Sequence, residues 1–175
     1  MEDVQMTFLM VRHNIEVAHR LYELEGKCEN IHGHSMWVEL KLFGHVNSKG
    51  VLEGLSFGEI KKQFRGFLDE TFDHHLLLHE KDPWAAPLYR LLAEDWVDPT
   101  DPKAAPRTMY GLVDYASKGR LPGLMTMPGD PTTENLAKWI ADWAVDTFHL
   151  PCDVLVHETG VNASGISVKP KNGDK

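Results

Sequence analysis

The chain has 175 residues, of which 42% are hydrophobic and 25% are charged, a composition typical of a soluble globular protein with one sizeable core. The formal net charge of -8 argues against general nucleic-acid binding, and no apolar run reaches the length of a membrane-spanning helix. Two cysteines far apart in sequence do not make a disulfide framework and are typical of a reducing compartment. Since residues 1–5 are acidic and lack a signal-peptide pattern, we expect a cytoplasmic protein.

The first part of the chain is predicted to contain two strands joined by a loop. Residues 6–21 carry β-branched and aromatic side chains and are predicted to form one strand that ends near His19. Residues 22–31 form the loop, which carries Cys28. Residues 35–46 alternate apolar and polar side chains, which is the pattern of a half-buried antiparallel strand.

A helix and a long insertion follow. Ser56 and Glu59 have the spacing of a capping box, which predicts a helix that begins there and ends near Thr71. Residues 79–130 are rich in proline and too long for a plain loop in a compact domain. Two short helices are predicted within them, at 87–96 and 108–118. We interpret the stretch as an insertion that serves as surface decoration, as a lid over the site or as an oligomer contact.

The last part of the chain returns to regular structure. Thr132 or Thr133 is predicted to cap a helix whose broad apolar face packs on a sheet. Two strands follow at 152–157 and 165–169, and residues 171–175 form a polar tail. Two helices and four antiparallel strands predict an α+β fold with both helices on one face of the sheet. The other face then needs cover, which favours an oligomer.

Three histidines mark a candidate metal centre. His32 and His34 are two residues apart on an extended segment, so both imidazoles point to the same face. His19 could lie beside them, which gives the three neutral imidazoles and the open fourth position of a catalytic zinc site. Cys28 would then lie near a cation that favours its thiolate form. Alternatively, Cys28 could be a fourth ligand and close the site, which would make it structural.

Five motifs occur together along the chain. They are Val17-Ala18-His19-Arg20-Leu21, Cys28-x-x-x-His32-Gly33-His34, Asp73-His74-His75, Pro131-Thr132-Thr133-Glu134-Asn135-Leu136-Ala137 and His157-Glu158-Thr159. In this combination the sequence resembles the family of 6-pyruvoyl- and 6-carboxy-tetrahydropterin synthases. The resemblance covers most of the chain outside the 79–130 insertion. It implies the tunnelling fold, or T-fold, as a single domain over residues 1–170.

The resemblance implies a role for each matched residue. The ligands of a catalytic Zn²⁺ would be His19, His32 and His34. Cys28 would be the base that removes a proton from the substrate, and Asp73 with His74 would relay protons. Glu158 would anchor the pterin ring and contribute to catalysis through that contact. Two further residues would lie near the pterin pocket, Thr132 and Thr133.

The resemblance also implies an activity. The family substrate is 7,8-dihydroneopterin triphosphate, and the three-residue gap between Cys28 and His32 is typical of the 6-carboxy enzymes of queuosine and other deazapurine pathways. Those enzymes release acetaldehyde and triphosphate. The alternatives are a 6-pyruvoyl-tetrahydropterin synthase, which releases only triphosphate, and a catalytically silent pterin- or purine-binding relative.

Two expectations concern the surface of the protein. Members of the family form trimeric barrels, usually paired into hexamers, with active sites between subunits, so the resemblance implies a homo-oligomer. The cations that bind the triphosphate are not identified by the motifs. Arg20 and Lys27 lie near the motifs, and we interpret both as surface charges.

Overall fold

Six strands form one sheet in the computed structural model, which describes residues 6–92 and 123–170. The strands are β1 (Thr7–His19), β2 (His32–Gly44), β3 (Leu76–His79), β4 (Leu124–Met127), β5 (Cys152–His157) and β6 (Ala163–Val168). The helices are α1 (Phe57–Thr71), α2 (Ala85–Leu92) and α3 (Thr133–Phe148), and a 3₁₀ turn spans Lys27–Glu29. The strand order is β4-β3-β1-β2-β5-β6.

The α+β prediction is confirmed, with one difference in the sheet. Four antiparallel strands were expected, whereas the described part of the chain contains six, and β3 pairs in parallel with both β1 and β4. The two additional strands are short runs of four residues that are largely buried. Such runs carry no alternation, so their sequence does not distinguish a strand from a piece of buried loop or helix.

The long stretch at 79–130 contains regular structure at both of its described ends. Strand β4 lies near its end, and helix α2 overlaps the first predicted helix, at 87–96, of which residues 93–96 lie outside the described residues. The second predicted helix, at 108–118, and the polar tail at 171–175 lie outside the described residues. In the ranges that are described, no helix is long and apolar enough to cross a membrane.

The chain divides into two compact units, and the first comprises residues 6–15, 35–68 and 133–170. Strands β2, β5 and β6 are antiparallel within it, and helix α3 packs on β5 and β6. The inward side of β2 is fully buried, as the alternation predicts: its residues are Met36, Val38, Leu40 and Leu42. The rings of Phe67 and Trp143 stack with centroids 4.1 Å apart and join α1 to α3.

The predicted capping box starts helix α1. The Ser56 hydroxyl accepts a hydrogen bond from the Glu59 backbone N–H at 3.3 Å, and the Glu59 carboxylate accepts one from the Ser56 backbone N–H at 3.1 Å. Two backbone donors of the first turn are thereby satisfied. The helix ends at Thr71, as expected, so that Asp73 and His74 follow directly after it.

The second unit comprises residues 16–34, 69–92 and 123–132. In it, the end of β1 pairs in parallel with β3, with Ala18 opposite Leu76 and His19 opposite Leu77. A small apolar cluster lies beside this pairing and consists of Leu78, Ala85 and Leu124, with Leu76 and Leu88 packed against it. These contacts fix the end of β1, which is where the first candidate metal ligand lies.

Candidate functional site

The second unit brings the three predicted metal ligands together. His19 is fully buried at the end of β1, while His32 and His34 are partly buried at the start of β2. One nitrogen from each ring lies within 4.8 Å of the other two, which is a group that could hold a metal ion. The ring centroids are 4.4 Å apart for His19 and His32, and 5.2 Å and 5.1 Å for the pairs that include His34.

The hydrogen bonds of two rings decide which nitrogen is available. Nδ1–H of His19 donates to the carbonyl oxygen of Pro131 at 2.9 Å, and Nδ1–H of His32 donates to that of Asn30 at 2.8 Å. A carbonyl oxygen only accepts, so in the neutral rings the proton lies on Nδ1 and the lone pair on Nε2. The same arrangement is typical of metal-binding histidines, whose second nitrogen is fixed by an acceptor.

The Nε2 atoms of His19 and His32 face each other at a distance that suits a shared cation. They lie 3.1 Å apart. Two lone pairs at this distance repel unless a proton or a metal ion lies with them. Two imidazole nitrogens on one tetrahedral zinc ion are separated by roughly 3.3 Å, given Zn–N bonds of about 2.0 to 2.1 Å. The donor set therefore fits a metal ion bound by three imidazoles.

Gly33 allows the two strands to approach at the histidine pair. A side chain at this position would place its Cβ atom 3.1 Å from the Val17 carbonyl oxygen, which is tighter than almost all real contacts. A glycine between His32 and His34 therefore lets β1 and β2 pack closely at this point, where a larger side chain would contact the Val17 carbonyl.

Cys28 lies in the 3₁₀ turn between β1 and β2, and its side chain is exposed. Its backbone carbonyl accepts a hydrogen bond from the Leu21 N–H at 2.9 Å. Among the described residues the metal-binding group consists of the three histidines and does not include Cys28. This geometry argues against the alternative of a closed structural site with a thiolate as the fourth ligand.

Asp73 and His74 form a hydrogen-bonded pair. Nδ1–H of His74 donates to Oδ2 of Asp73 at 2.7 Å, and the other carboxylate oxygen accepts the Glu16 backbone N–H, also at 2.7 Å. The backbone N–H of His74 donates to the Glu16 carbonyl at 2.7 Å, and His74 has a positive φ of 58°. The His74 ring is exposed, and its Nε2 remains available for proton transfer.

The remaining predicted site residues lie at the ends of α3 and β5. Thr132, in the second unit, precedes α3, and its N–H donates to the Asp130 carbonyl at 2.8 Å. Thr133 and Glu158 belong to the first unit. The hydroxyl of Thr133 lies 2.9 Å from that of Ser164, and Glu158 follows β5, where its N–H donates to the Asn162 carbonyl at 3.0 Å.

A sequence model of the 6-pyruvoyl tetrahydropterin synthase family matches residues 8–167. The chain belongs to this family. The resemblance stated from the five motifs is thereby confirmed.

Curated members of the family share part of the sequence. The 6-carboxy-5,6,7,8-tetrahydropterin synthases of Rickettsia conorii and Rickettsia bellii are 35% and 33% identical to the chain over 72 residues. The match covers 41% of this chain and 51% of each relative, so the chain spans about half the length of the curated relatives it matches.

Several solved structures share the fold of the chain. An uncharacterized protein from Wolinella succinogenes superposes with a TM-score of 0.67 at 17% identity, covering 94% of this chain and 99% of that one. The 6-pyruvoyl tetrahydropterin synthase of Caenorhabditis elegans gives 0.58 at 20% identity, covering 97% and 100%. These similarities confirm the T-fold.

One interpretation from the sequence was wrong. Arg20 was taken as a surface charge, but it is 5% exposed, and its guanidinium forms an ion pair with the buried carboxylate of Asp82. It also donates to the Glu29 carbonyl at 2.6 Å and lies over the Trp84 ring at 4.4 Å. Lys27 is exposed, as expected. A buried guanidinium needs such partners because an unpaired buried charge is costly.

Sequence reasoning also missed the contacts that support His19, the first candidate metal ligand. Asp130 is buried, and its two carboxylate oxygens accept the backbone N–H groups of Tyr22 and Glu23 at 2.8 Å each. The next residue, Pro131, supplies the carbonyl that orients His19. Asp130 directly precedes the fourth motif, for which only helix capping by Thr132 or Thr133 was predicted. Backbone carbonyls carry no side-chain signature, so this contact needed the structure.

Proposed function

We propose that the protein is a zinc-dependent 6-carboxy-5,6,7,8-tetrahydropterin synthase. It would convert 7,8-dihydroneopterin triphosphate and water to 6-carboxytetrahydropterin, acetaldehyde and triphosphate, a carbon–carbon lyase reaction. The observation that carries the proposal is the pair of imidazole Nε2 lone pairs that face each other 3.1 Å apart, with a third imidazole beside them. The product is inferred from the names of the curated relatives and from the short spacing between Cys28 and His32.

The metal would be held by His19, His32 and His34. Three nitrogen ligands with an open position are the usual set for catalytic zinc, and imidazole is a preferred zinc ligand. When bound, zinc supplies Lewis acidity, which makes C–H and O–H groups next to a coordinated oxygen easier to deprotonate. The Pro131 carbonyl accepts from Nδ1–H of His19, and the Asn30 carbonyl accepts from Nδ1–H of His32. Both rings are thereby kept in the tautomer whose Nε2 can bind a metal.

Cys28 and His74 would move the protons. The exposed thiol of Cys28 would remove a proton from the substrate side chain as the thiolate. Nε2 of His74 would donate or accept a proton, while Asp73 holds Nδ1 and fixes the ring orientation. Because Asp73 is itself fixed by the Glu16 backbone N–H, the ring has a supported position although it is exposed.

Glu158 would bind the pterin. Its carboxylate can accept two N–H donors from the guanidine-like edge of the ring, which is a charge-assisted contact. Thr132 and Thr133 would contribute near the pterin pocket. These three roles come from the family resemblance.

A 6-pyruvoyl-tetrahydropterin synthase is the second candidate. It is favoured by the description of the family and by the names of several solved structures. Both reactions would use the same metal ligands and the same base. They differ in the pterin product, which carries a 6-carboxy or a 6-pyruvoyl group, and acetaldehyde is released only by the carboxy reaction. A third possibility, a catalytically silent pterin-binding protein, would keep metal and ligand binding but show no turnover.

The proposal includes that copies of this chain form a homo-oligomer and that the protein acts in the cytoplasm. Phe8 and Met10 of β1 are exposed, as are Met6, which directly precedes the strand, and Trp37 of β2. Large apolar side chains grouped on one sheet surface favour association, and we propose that a second copy of this chain covers them. A monomer in light scattering at micromolar concentration would contradict this part of the proposal.

The two cysteines allow a direct test of the base. A Cys28→Ala variant should bind zinc and pterin as the parent does, while turnover collapses. The matched control is Cys152→Ala, which removes the other thiol from the core and should retain turnover with some loss of stability. Unchanged turnover in Cys28→Ala would refute the assignment of the base.

Alkylation of the cysteines tests the role of Cys28 independently of mutation. Burial raises the pKa of the Cys152 thiol to about 11, so this thiol is almost entirely protonated at neutral pH and unreactive. Iodoacetamide should therefore label Cys28 alone, and loss of turnover should follow the extent of labelling. Labelling that leaves turnover intact would exclude the thiol from the reaction.

A further inference from the structure

The turn that carries Cys28 has little stability of its own. It is a single 3₁₀ turn of three residues, Lys27–Glu29, preceded by Gly26 with a positive φ of 115° and without a side-chain cap. One isolated turn of this kind fixes several backbone angles for few hydrogen bonds, so it needs external contacts to keep one conformation.

Arg20 supplies the main external contact. Its Nε–H donates to the carbonyl oxygen of Glu29 at 2.6 Å, directly after the cysteine. The neighbouring backbone N–H, that of Leu21, donates to the Cys28 carbonyl at 2.9 Å. Two consecutive carbonyls of the turn are thus held by two consecutive residues of the chain that leaves β1.

The guanidinium is in turn fixed from the other side. Asp82, whose side chain is fully buried, accepts a hydrogen bond from Nη1 of Arg20. The second carboxylate oxygen of Asp82 accepts the Trp84 N–H at 2.8 Å, and the Trp84 ring lies beneath the guanidinium. A planar fork with several donors can hold all these partners at once, whereas an ammonium group is a single point charge.

We propose that Arg20, held by Asp82, is a positioning residue that fixes Cys28 for proton abstraction. The inference rests on the proposed function, because it assigns a task to the cysteine turn of that site. Arg20 follows the metal ligand His19 directly, so the same segment holds one metal ligand and the turn of the base. Proton transfer depends on sub-ångström placement, and a displacement of about 1 Å can cost roughly 100-fold in rate.

The test is an Arg20→Lys variant of the full-length, zinc-loaded protein. Lysine keeps the charge opposite Asp82 but lacks the planar fork whose Nε–H holds the Glu29 carbonyl while Nη1 holds Asp82. We expect kcat to fall roughly 10- to 100-fold, with KM and the zinc content close to those of the parent. Hydrogen exchange of the peptide that spans residues 21–30 should become faster, with the rest of the described chain unchanged.

The matched control is Arg65→Lys, the same exchange at an exposed position of α1. It should change neither kcat nor the exchange of residues 21–30. If Arg20→Lys unfolds, the double variant Arg20→Met with Asp82→Leu replaces both buried charges with apolar groups of similar size. It should fold and bind zinc, and it should show the same loss of kcat.

The outcomes separate this inference from the proposed function. A kcat within twofold of the parent, or unchanged exchange at residues 21–30, would overturn the positioning role. A KM that rises as much as kcat falls, together with a loss of bound zinc, would mean that Arg20 supports the whole site. That result would also overturn the positioning role. Absence of turnover in the parent protein would instead refute the proposed function, while the exchange data would still report whether Arg20 holds the turn.

Discussion

Replacing His74 with asparagine should remove turnover while leaving stability almost unchanged. His74 has a positive φ of 58°, a conformation that asparagine also adopts readily. Its ring is exposed, and its Nδ1–H donates to the Asp73 carboxylate at 2.7 Å. The substitution therefore keeps the backbone and removes the group that we propose transfers a proton.

The expected magnitudes are well separated. The side chain of His74 is 78% exposed, so the lost ion pair is screened and contributes about 0 to 1 kcal/mol to the free energy of unfolding. Asparagine relieves part of the roughly 1 kcal/mol of strain that a left-handed residue carries, which offsets that loss. Loss of a general acid–base group costs about 100- to 10,000-fold in rate, or roughly 3 to 5 kcal/mol in the barrier.

The assay compares His74→Asn with a control at the end of α3. His149 also has a positive φ, of 55°, and lies exposed one residue past that helix. His149→Asn should therefore have a similar effect on unfolding but retain turnover. Denaturant unfolding and steady-state turnover of both variants are measured at one zinc loading. Turnover within threefold of the parent in His74→Asn, or equal loss in both variants, would refute the role of His74.

Three further predictions concern the metal site and the first helix. His34→Ala should lower the zinc content measured by mass spectrometry and the midpoint of thermal unfolding, since a bound metal stabilises only the folded state; zinc bound as tightly as in the parent would exclude His34 as a ligand. Gly33→Ala should weaken zinc binding, because the new Cβ would press on the Val17 carbonyl at 3.1 Å; parental zinc affinity would contradict this. Ser56→Ala should lower stability near neutral pH. Hydrogen bonds from the side chain and backbone of Ser56 lower the pKa of Glu59, so this contribution is present above the usual pKa of 4.5 and is lost as the pH falls through the folded value. A loss of stability in Ser56→Ala that is as large at pH 3 as at pH 7 would contradict it.

The sequence was sufficient for the elements whose pattern is regular and local. The alternation in β2 predicted its buried side, and the Ser56–Glu59 spacing predicted the start of α1. The His-Gly-His spacing predicted two imidazoles on one face, with His19 beside them, and the structure brings these three residues together. In each case the determinant lies within a few residues of the chain, or within motifs that occur together in one family.

Contacts between distant segments could not be predicted in the same way. Strands β3 and β4 are short and form by parallel pairing, and Leu76-Leu77-Leu78 has no period that marks a strand. Arg20 looked like a surface charge because its partner, Asp82, lies 62 residues further along the chain. The Pro131 carbonyl that orients His19 is 112 residues away and has no side-chain signature. Such pairings become visible only once the topology is known.

The most direct measurement is the mass of the pterin product. The protein is stripped with a chelator, reloaded with zinc and incubated with 7,8-dihydroneopterin triphosphate, and the products are identified by mass spectrometry. We predict 6-carboxytetrahydropterin with acetaldehyde, formed in proportion to bound zinc. A 6-pyruvoyl product would keep the metal and base assignments but contradict the proposed reaction, and intact substrate with zinc bound would contradict the enzyme itself.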